Sequence, residues 1–155
     1  MHYFFNDSIN TETVNNLIEK LEGKEDIVLY FGTDGGATDS MCCLVSFFNS
    51  LGANIEIVLT DFLMSAGIKI LTDYTGRLRH EGLGFILFHK FDREIYTLRK
   101  TSLVNESILV AQTDNENKIF AKKLKKLGLT KKQIKKYNKG LDVVLYKKDF
   151  HLINL

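Results

Sequence analysis

Short apolar runs alternate with amphipathic segments along the chain, and this alternation predicts an α/β fold. Five runs, bounded by glycine or polar residues, have the length and composition of buried strands. They are Tyr3–Phe5, Ile27–Phe31, Ile55–Leu59, Phe85–Phe88 and Val143–Tyr146. A further stretch, Arg93 to Leu103, alternates loosely and predicts another extended segment.

Between these strands, apolar residues recur at helical spacing. They predict helices over Val14–Leu21, Thr38–Asn49, Ile68 towards Gly76, Asn105–Leu127 and Thr130 to Gly140. Thr38 or Asp39 is expected to cap the second helix, and Thr130 with Gln133 forms a capping box before the last. No linker or repeat divides the chain, so we expect a single domain spanning residues 1–155.

The predicted Thr38–Asn49 helix is apolar on nearly every side, so it should be buried or lie in an interface. It carries the only two cysteines, Cys42 and Cys43. Their spacing suits neither a metal site nor a redox motif, and we expect buried thiols in a reducing compartment. No transmembrane segment or signal peptide is evident, and the prediction is a cytoplasmic protein.

Positive charge is concentrated near the carboxyl end, although the formal net charge is only +2. Lys122–Lys139 contains nine lysines and no acid, leaving 12 of the 21 basic side chains against all 19 acidic ones. Such a run suits nucleic acid or an acidic partner. The favoured interpretation is a solvated helix face, because apolar residues recur beneath it, so nucleic acid is not an expected partner. These residues are Ile119, Phe120, Leu124, Leu127, Ile134 and Tyr137.

Three predicted strands lead into residues of possible chemical use: Gly35-Gly36, Ser65 and His89. Each has an ordinary explanation on its own: a tight turn, a helix N-cap and a structural histidine. However, strand ends on one edge of a parallel sheet lie side by side, so these residues could meet in one crevice. The amide of Ala66, at the mouth of the following helix, could there receive an oxyanion.

Taken together, four segments resemble the proteolytic subunit of the Clp protease (ClpP) in order and spacing. Phe31–Gly36 is similar to its strand-end glycine loop, Met64–Gly67 to its nucleophile turn, and Phe85–His89 to the strand ending in its catalytic histidine. The stretch Leu141–Leu145 is similar to the segment that supplies its catalytic aspartate. The resemblance implies a ClpP/crotonase-like spiral of repeated strand-strand-helix units.

The resemblance also implies a serine peptidase that cleaves peptides or unfolded segments without a metal or organic cofactor. Ser65 would be the nucleophile, His89 the general base and Asp142 the residue that orients the imidazole. The backbone amides of Gly36 and Ala66 would form the oxyanion hole. The family's oligomers imply stacked rings of this chain enclosing the Ser65 sites. The segment that meets the family's ATPase is not evident, so the sequence gives no support for an ATPase partner.

Three residues near the site depart from the family pattern: Asp34, Asp61 and Lys90 stand in place of Pro, Gly and Gln. Two other readings therefore stay open. One is a catalytically silent ClpP-like scaffold or subunit. The other is a crotonase-type acyl-CoA enzyme, although no feature of the sequence is suited to holding CoA.

Overall fold

The computed structural model describes residues 1–90 and 103–152, with side chains of the latter segment described from Val110 to His151. The described residues form six strands, five of which the hydrophobic pattern predicts. The strands are β1 (His2–Asn6), β2 (Ile27–Thr33), β3 (Ile55–Met64), β4 (Arg77–His80), β5 (Phe85–Phe88) and β6 (Val143–Tyr146). The α-helices are α1 (Thr11–Leu21), α2 (Thr38–Leu51), α3 (Lys69–Asp73), α4 (Leu103–Leu127) and α5 (Lys131–Asn138). Three 3₁₀ turns follow α2, β3 and β6, at Gly52–Asn54, Ser65–Ile68 and Lys147–Leu152.

Side-chain hydrogen bonds cap the starts of α1 and α5 but not those of α2 and α3. The predicted capping box before α5 is confirmed, because Thr130 accepts from the Gln133 amide and the Gln133 side chain accepts from the Thr130 amide. The predicted cap of α2 is wrong. Ala37 occupies the N-cap position and has no side-chain hydrogen bond, so Thr38 lies within the helix.

One mixed sheet contains all six strands, in the order β1-β2-β3-β5-β6, and β4 also pairs with β3. All described pairings are parallel except that of β5 with β6, which is antiparallel. The sequence predicted neither β4 nor the second half of β3. The strand β4 has half-buried and exposed residues in alternation, with arginine at two of its four positions and histidine at a third, so no apolar run marks it.

Strand β3 changes its partner halfway along. Its residues Glu56–Leu59 pair with β4, and Phe62–Met64 pair with β5. Asp61 lies between the two pairings with a positive φ of 53°, where the register with β2 also shifts. The amide of Gly84 donates to the Asp61 carbonyl over 2.7 Å, and this bond holds the start of β5 against the bend.

The core lies between the sheet and helices α1 to α5, and α2 contributes four fully or nearly fully buried side chains to it. They are Met41, Leu44, Val45 and Phe48. The rest of α2 is less buried than its composition suggested. The expectation of two buried thiols is wrong: Cys42 is only half-buried and Cys43 is exposed, because neighbouring helical side chains diverge.

The lysine run follows the predicted pattern of a solvated face. Eight of its nine lysines are exposed, and Lys123 is intermediate. Beneath them Phe120, Leu124, Leu127 and Tyr137 are buried, Ile134 is half-buried, but Ile119 is 47% exposed. The extended segment predicted from Arg93 lies, up to residue 102, outside the described residues. None of the helices in the described part of the chain is long and apolar enough to cross a membrane.

Candidate active site

Ser65 and His89 meet at the carboxyl ends of adjacent parallel strands. Ser65 directly follows β3, and His89 directly follows β5, whose Leu87 pairs with Met64. The Ser65 Oγ lies 2.7 Å from the His89 Nε2, a hydrogen bond between two half-buried side chains. The hydroxyl is therefore engaged by the imidazole, which is not the geometry of a helix N-cap.

Ser65 has a left-handed backbone conformation, with a φ of 52°. A non-glycine residue in this region costs about 1–3 kcal/mol and keeps this conformation only where its surroundings hold it there. The sharp turn from β3 into the 3₁₀ turn Ser65–Ile68 places the serine at the strand end. The following residue, Ala66, is buried.

The glycine loop after β2 packs directly against Ser65. A Cβ at Gly35 would come within 2.4 Å of the Ser65 Cβ, so only glycine fits at this position. Gly35 also has a φ of 100°, which glycine adopts without strain. The glycine loop after β2 therefore meets Ser65, after β3, at the place that His89, after β5, also reaches.

The Thr33 side chain holds the glycine loop in place, although the sequence pattern had assigned Thr33 no role. It is fully buried, and its Oγ1 donates to the Asp7 carbonyl over 2.7 Å while accepting from the Gly35 amide at 3.0 Å. A Cβ at Gly67 would come within 2.3 Å of the Thr33 Cγ2, so the threonine also packs against the turn after Ser65. The available signal in the sequence was a threonine near the end of an apolar strand, two residues before a glycine pair.

The two amides assigned to the oxyanion hole belong to Gly36, in the glycine loop, and to Ala66, the residue after Ser65. Ile9 forms an isolated parallel bridge with Gly36: its amide donates to the Gly35 carbonyl and its carbonyl accepts from Ala37. Neither bond uses the Gly36 amide. Ala66 is the second residue of a 3₁₀ turn, where amides have no acceptor within the turn.

Asp142 is close to His89 in register but does not bond to it. Because β5 and β6 run antiparallel with Phe88 opposite Val143, the residue before β6 lies beside the end of β5. Asp142 is exposed, and within the described residues no hydrogen bond joins it to the imidazole. Asp149, another acid near the strand, instead accepts from the Tyr146 amide at 3.3 Å.

Two of the three residues that depart from the expected pattern, Asp34 and Asp61, have structural roles. Asp34, beside Gly35, accepts a hydrogen bond from the Ser8 hydroxyl at 3.0 Å, which ties the glycine loop to the segment after β1. Asp61 occupies its left-handed conformation at the bend of β3, a position that aspartate tolerates better than most residues. No group of three or more potential metal-binding side chains occurs within residues 1–90 and 103–152.

Comparison with solved structures identifies the architecture. A point mutant of ClpP1 from Listeria monocytogenes matches 99% of this chain and 88% of its own, with a TM-score of 0.67 and 18% sequence identity. The ClpP protease catalytic domain from Plasmodium falciparum matches 99% of this chain and 82% of its own, with a TM-score of 0.61 and 17% identity. This chain has the ClpP fold.

The ClpP fold confirms the predicted α/β architecture and the predicted resemblance. No family model matches the sequence, and no curated protein matches it. At 17–18% identity the likeness establishes the fold alone. The function of the site must therefore be inferred from its own residues and geometry.

Proposed function

We propose that this chain is a serine peptidase in which Ser65 attacks the substrate carbonyl. The observation that carries the proposal is the 2.7 Å hydrogen bond between the Ser65 Oγ and the His89 Nε2. A serine hydroxyl is a weak nucleophile until a neighbouring base takes its proton, and this contact supplies the base. The ClpP fold of the chain supports the same assignment.

The proposed reaction proceeds through an acyl-enzyme. His89 accepts the Ser65 proton as the Ser65 Oγ–carbon bond forms, and the Gly36 and Ala66 amides stabilise the oxyanion. His89 then donates its proton to the leaving amine as the peptide C–N bond breaks. A water molecule, activated by the same imidazole, hydrolyses the ester. Asp142 is assigned the role of orienting His89, and no cofactor is needed.

The proposed substrates are peptides or unfolded protein segments, cleaved inside a homo-oligomer of stacked rings in the cytoplasm. The strained position of Ser65 and its closely packed glycine loop suit a preorganised site. The free cysteines Cys42 and Cys43 suit a reducing compartment.

One observation favours a second candidate, a catalytically silent ClpP-like subunit. Asp142 is exposed and does not bond to His89 within the described residues. An imidazole without an orienting acceptor loses much of its efficiency as a base. The reactivity of Ser65 distinguishes these candidates.

Covalent labelling tests the proposal. We expect a fluorophosphonate probe to add one adduct to the folded wild-type chain, because His89 makes the Ser65 hydroxyl nucleophilic. Ser65→Ala should abolish the adduct, and His89→Gln should slow its formation by at least about 100-fold. Intact-mass spectrometry measures both.

Matched controls are available on the same chain. Ser46→Ala removes an exposed serine from α2, and His151→Gln removes an exposed histidine. Both should label at the wild-type rate. Wild-type protein that is folded but unlabelled would favour the silent subunit, and labelling that survives in Ser65→Ala would place the nucleophile elsewhere.

A further inference from the structure

The carboxyl end of α4 and one side of α5 form a cleft that lies apart from the Ser65 site. The cleft has a volume of about 390 Å³ and an apolar floor formed by Leu129 and Ile134. Four lysines surround this floor. They are Lys125, Lys131, Lys135 and Lys139.

These lysines have no acidic partner in the described part of the chain. The ion pairs found there involve other residues, and Lys123 is the only member of the Lys122–Lys139 run that takes part in one. The four side chains around the cleft therefore present uncompensated positive charge beside apolar surface.

The lysines at the start of α5 are unfavourable for the helix, whereas Lys135 and Lys136 in its last turn suit the helix dipole. Lys131 and Lys132 lie in the first turn of α5, where the helix dipole favours acids, and no acid is present there. The pairs Lys131–Lys135 and Lys132–Lys136 place like charges four residues apart, each costing about 0.2–0.5 kcal/mol. A local arrangement that opposes folding is typical of a functional surface.

We propose that this cleft binds an acidic peptide segment of a partner protein, with an apolar side chain seated on Leu129 and Ile134 and carboxylates paired with the surrounding lysines. Two features favour a peptide over nucleic acid. Proteins that bind single strands commonly stack the bases on exposed aromatic side chains, but Phe120 and Tyr137 on these helices are buried. The run also contains no arginine, the residue that best matches phosphate geometry.

The electrostatic part of this binding has a clear signature. Charge complementarity raises the association rate and is screened by salt, so affinity should fall as ionic strength rises. The apolar anchor should contribute independently of salt, since burial of hydrocarbon is not an ionic interaction.

The test uses the full chain and a fluorescein-labelled short peptide with one Leu between runs of Glu, followed by fluorescence anisotropy. We expect Lys131→Glu/Lys135→Glu to weaken binding at least about tenfold. The matched control is Lys132→Glu/Lys136→Glu, with the same charge change, helix and spacing but outside the cleft lining. It should weaken binding less than about threefold. Replacing the peptide Leu by Ser should weaken binding in the wild type.

Three outcomes would overturn the proposal. Equal losses in the two double variants would mean a diffuse charge effect without a cleft. An RNA oligomer of equal charge that binds more tightly and displaces the peptide would assign the surface to nucleic acid. The absence of peptide binding at low salt, with circular dichroism showing a folded chain, would leave the lysines as a solvated face only.

Discussion

At the scale of single residues, the site depends on two left-handed positions that carry side chains. Ser65 and Asp61 both have a φ near 52°, a conformation that favours glycine. Asp61 bends β3, and Ser65 ends it, so the strand delivers the hydroxyl to His89. Gly35 then closes the site because its lack of a Cβ lets the loop approach the serine.

Thr33→Val tests whether the glycine loop must be tied down. The variant keeps the shape of the side chain but loses both hydrogen bonds of the Thr33 hydroxyl. Leaving the Asp7 carbonyl and Gly35 amide without that partner should cost about 1–3 kcal/mol of unfolding free energy. The rate of fluorophosphonate labelling should fall at least about tenfold, because the loop beside Ser65 loosens.

Thr33→Ser is the matched control, since it keeps the hydroxyl and removes only the methyl group against Gly67. It should label within about threefold of the wild type. If Thr33→Val labels at the wild-type rate and Thr33→Ser does not, packing of the methyl group, and not the hydroxyl, positions the loop.

Asp142→Asn tests the third member of the proposed triad. If Asp142 orients His89, peptidase turnover should fall by at least about tenfold and up to about 10⁴, with the fold unchanged. Asp149→Asn is the comparison, because that carboxylate is already engaged by the Tyr146 amide. Unchanged turnover in Asp142→Asn would remove it from the triad; Asp92, outside the described residues, would be tested next.

At the scale of elements, α3 and α4 are joined by one carboxylate between two lysines. Asp73, at the end of α3, accepts from Lys123 on α4 and pairs with Lys69 at 3.3 Å. Partial burial alone would raise the pKa of Asp73. The hydrogen bond from Lys123 and the charges of both lysines outweigh that effect and hold the pKa below its ordinary value of 3.8.

The lowered pKa gives the stability a definite pH dependence. The ionised Asp73 stabilises the fold at pH values above 3.8, the ordinary value for the unfolded chain, and this contribution is lost as the pH falls through the lower folded-state pKa. Asp73→Asn should therefore lower the unfolding free energy at pH 7 by up to about 1 kcal/mol. Urea unfolding should show that the difference from wild type shrinks in acid.

Asp114→Asn provides the control for this prediction. It removes an exposed acid from α4, with no ion pair among the described residues, and changes the net charge equally. Its stability at pH 7 should match the wild type within about 0.5 kcal/mol. An equal loss in both variants would indicate a general charge effect instead of the bridge between the helices.

At the scale of the whole molecule, apolar surface remains on the outside of the fold. Phe4 on β1 is 76% exposed and Tyr146 on β6 is 56% exposed, so both ends of the described sheet order present large apolar side chains. The helix α2, by contrast, places most of its apolar residues in this chain's own core, so it gives little reason for an interface.

We predict a homo-oligomer, because stacked rings are part of the proposed function and large apolar residues at the sheet's ends suit burial between copies. Multi-angle light scattering at micromolar concentration should give a mass several times the 17.7 kDa of one chain. A mass near 17.7 kDa at all concentrations would contradict the ring. Monomers that still hydrolyse peptides would show that Ser65 and His89 need no neighbour.

Local sequence determined much of this protein. The apolar runs predicted five of the six strands, since a strand buried in a sheet must be apolar whatever surrounds it. The Thr130 capping box was predicted equally well, because a cap acts within one turn. The sequence also predicted that Ser65 and His89 follow the ends of strands.

Only the tertiary structure decided what depends on neighbours far along the chain. Strand β4 forms because the edge of β3 is available for pairing. No apolar run in Arg77–His80 predicts this strand. The burial of Thr33 follows from the Asp7 carbonyl and Gly67, residues 26 and 34 positions away. The 2.7 Å contact of Ser65 with His89 exists because β3 changes partner at Asp61, and that exchange is a property of the assembled sheet.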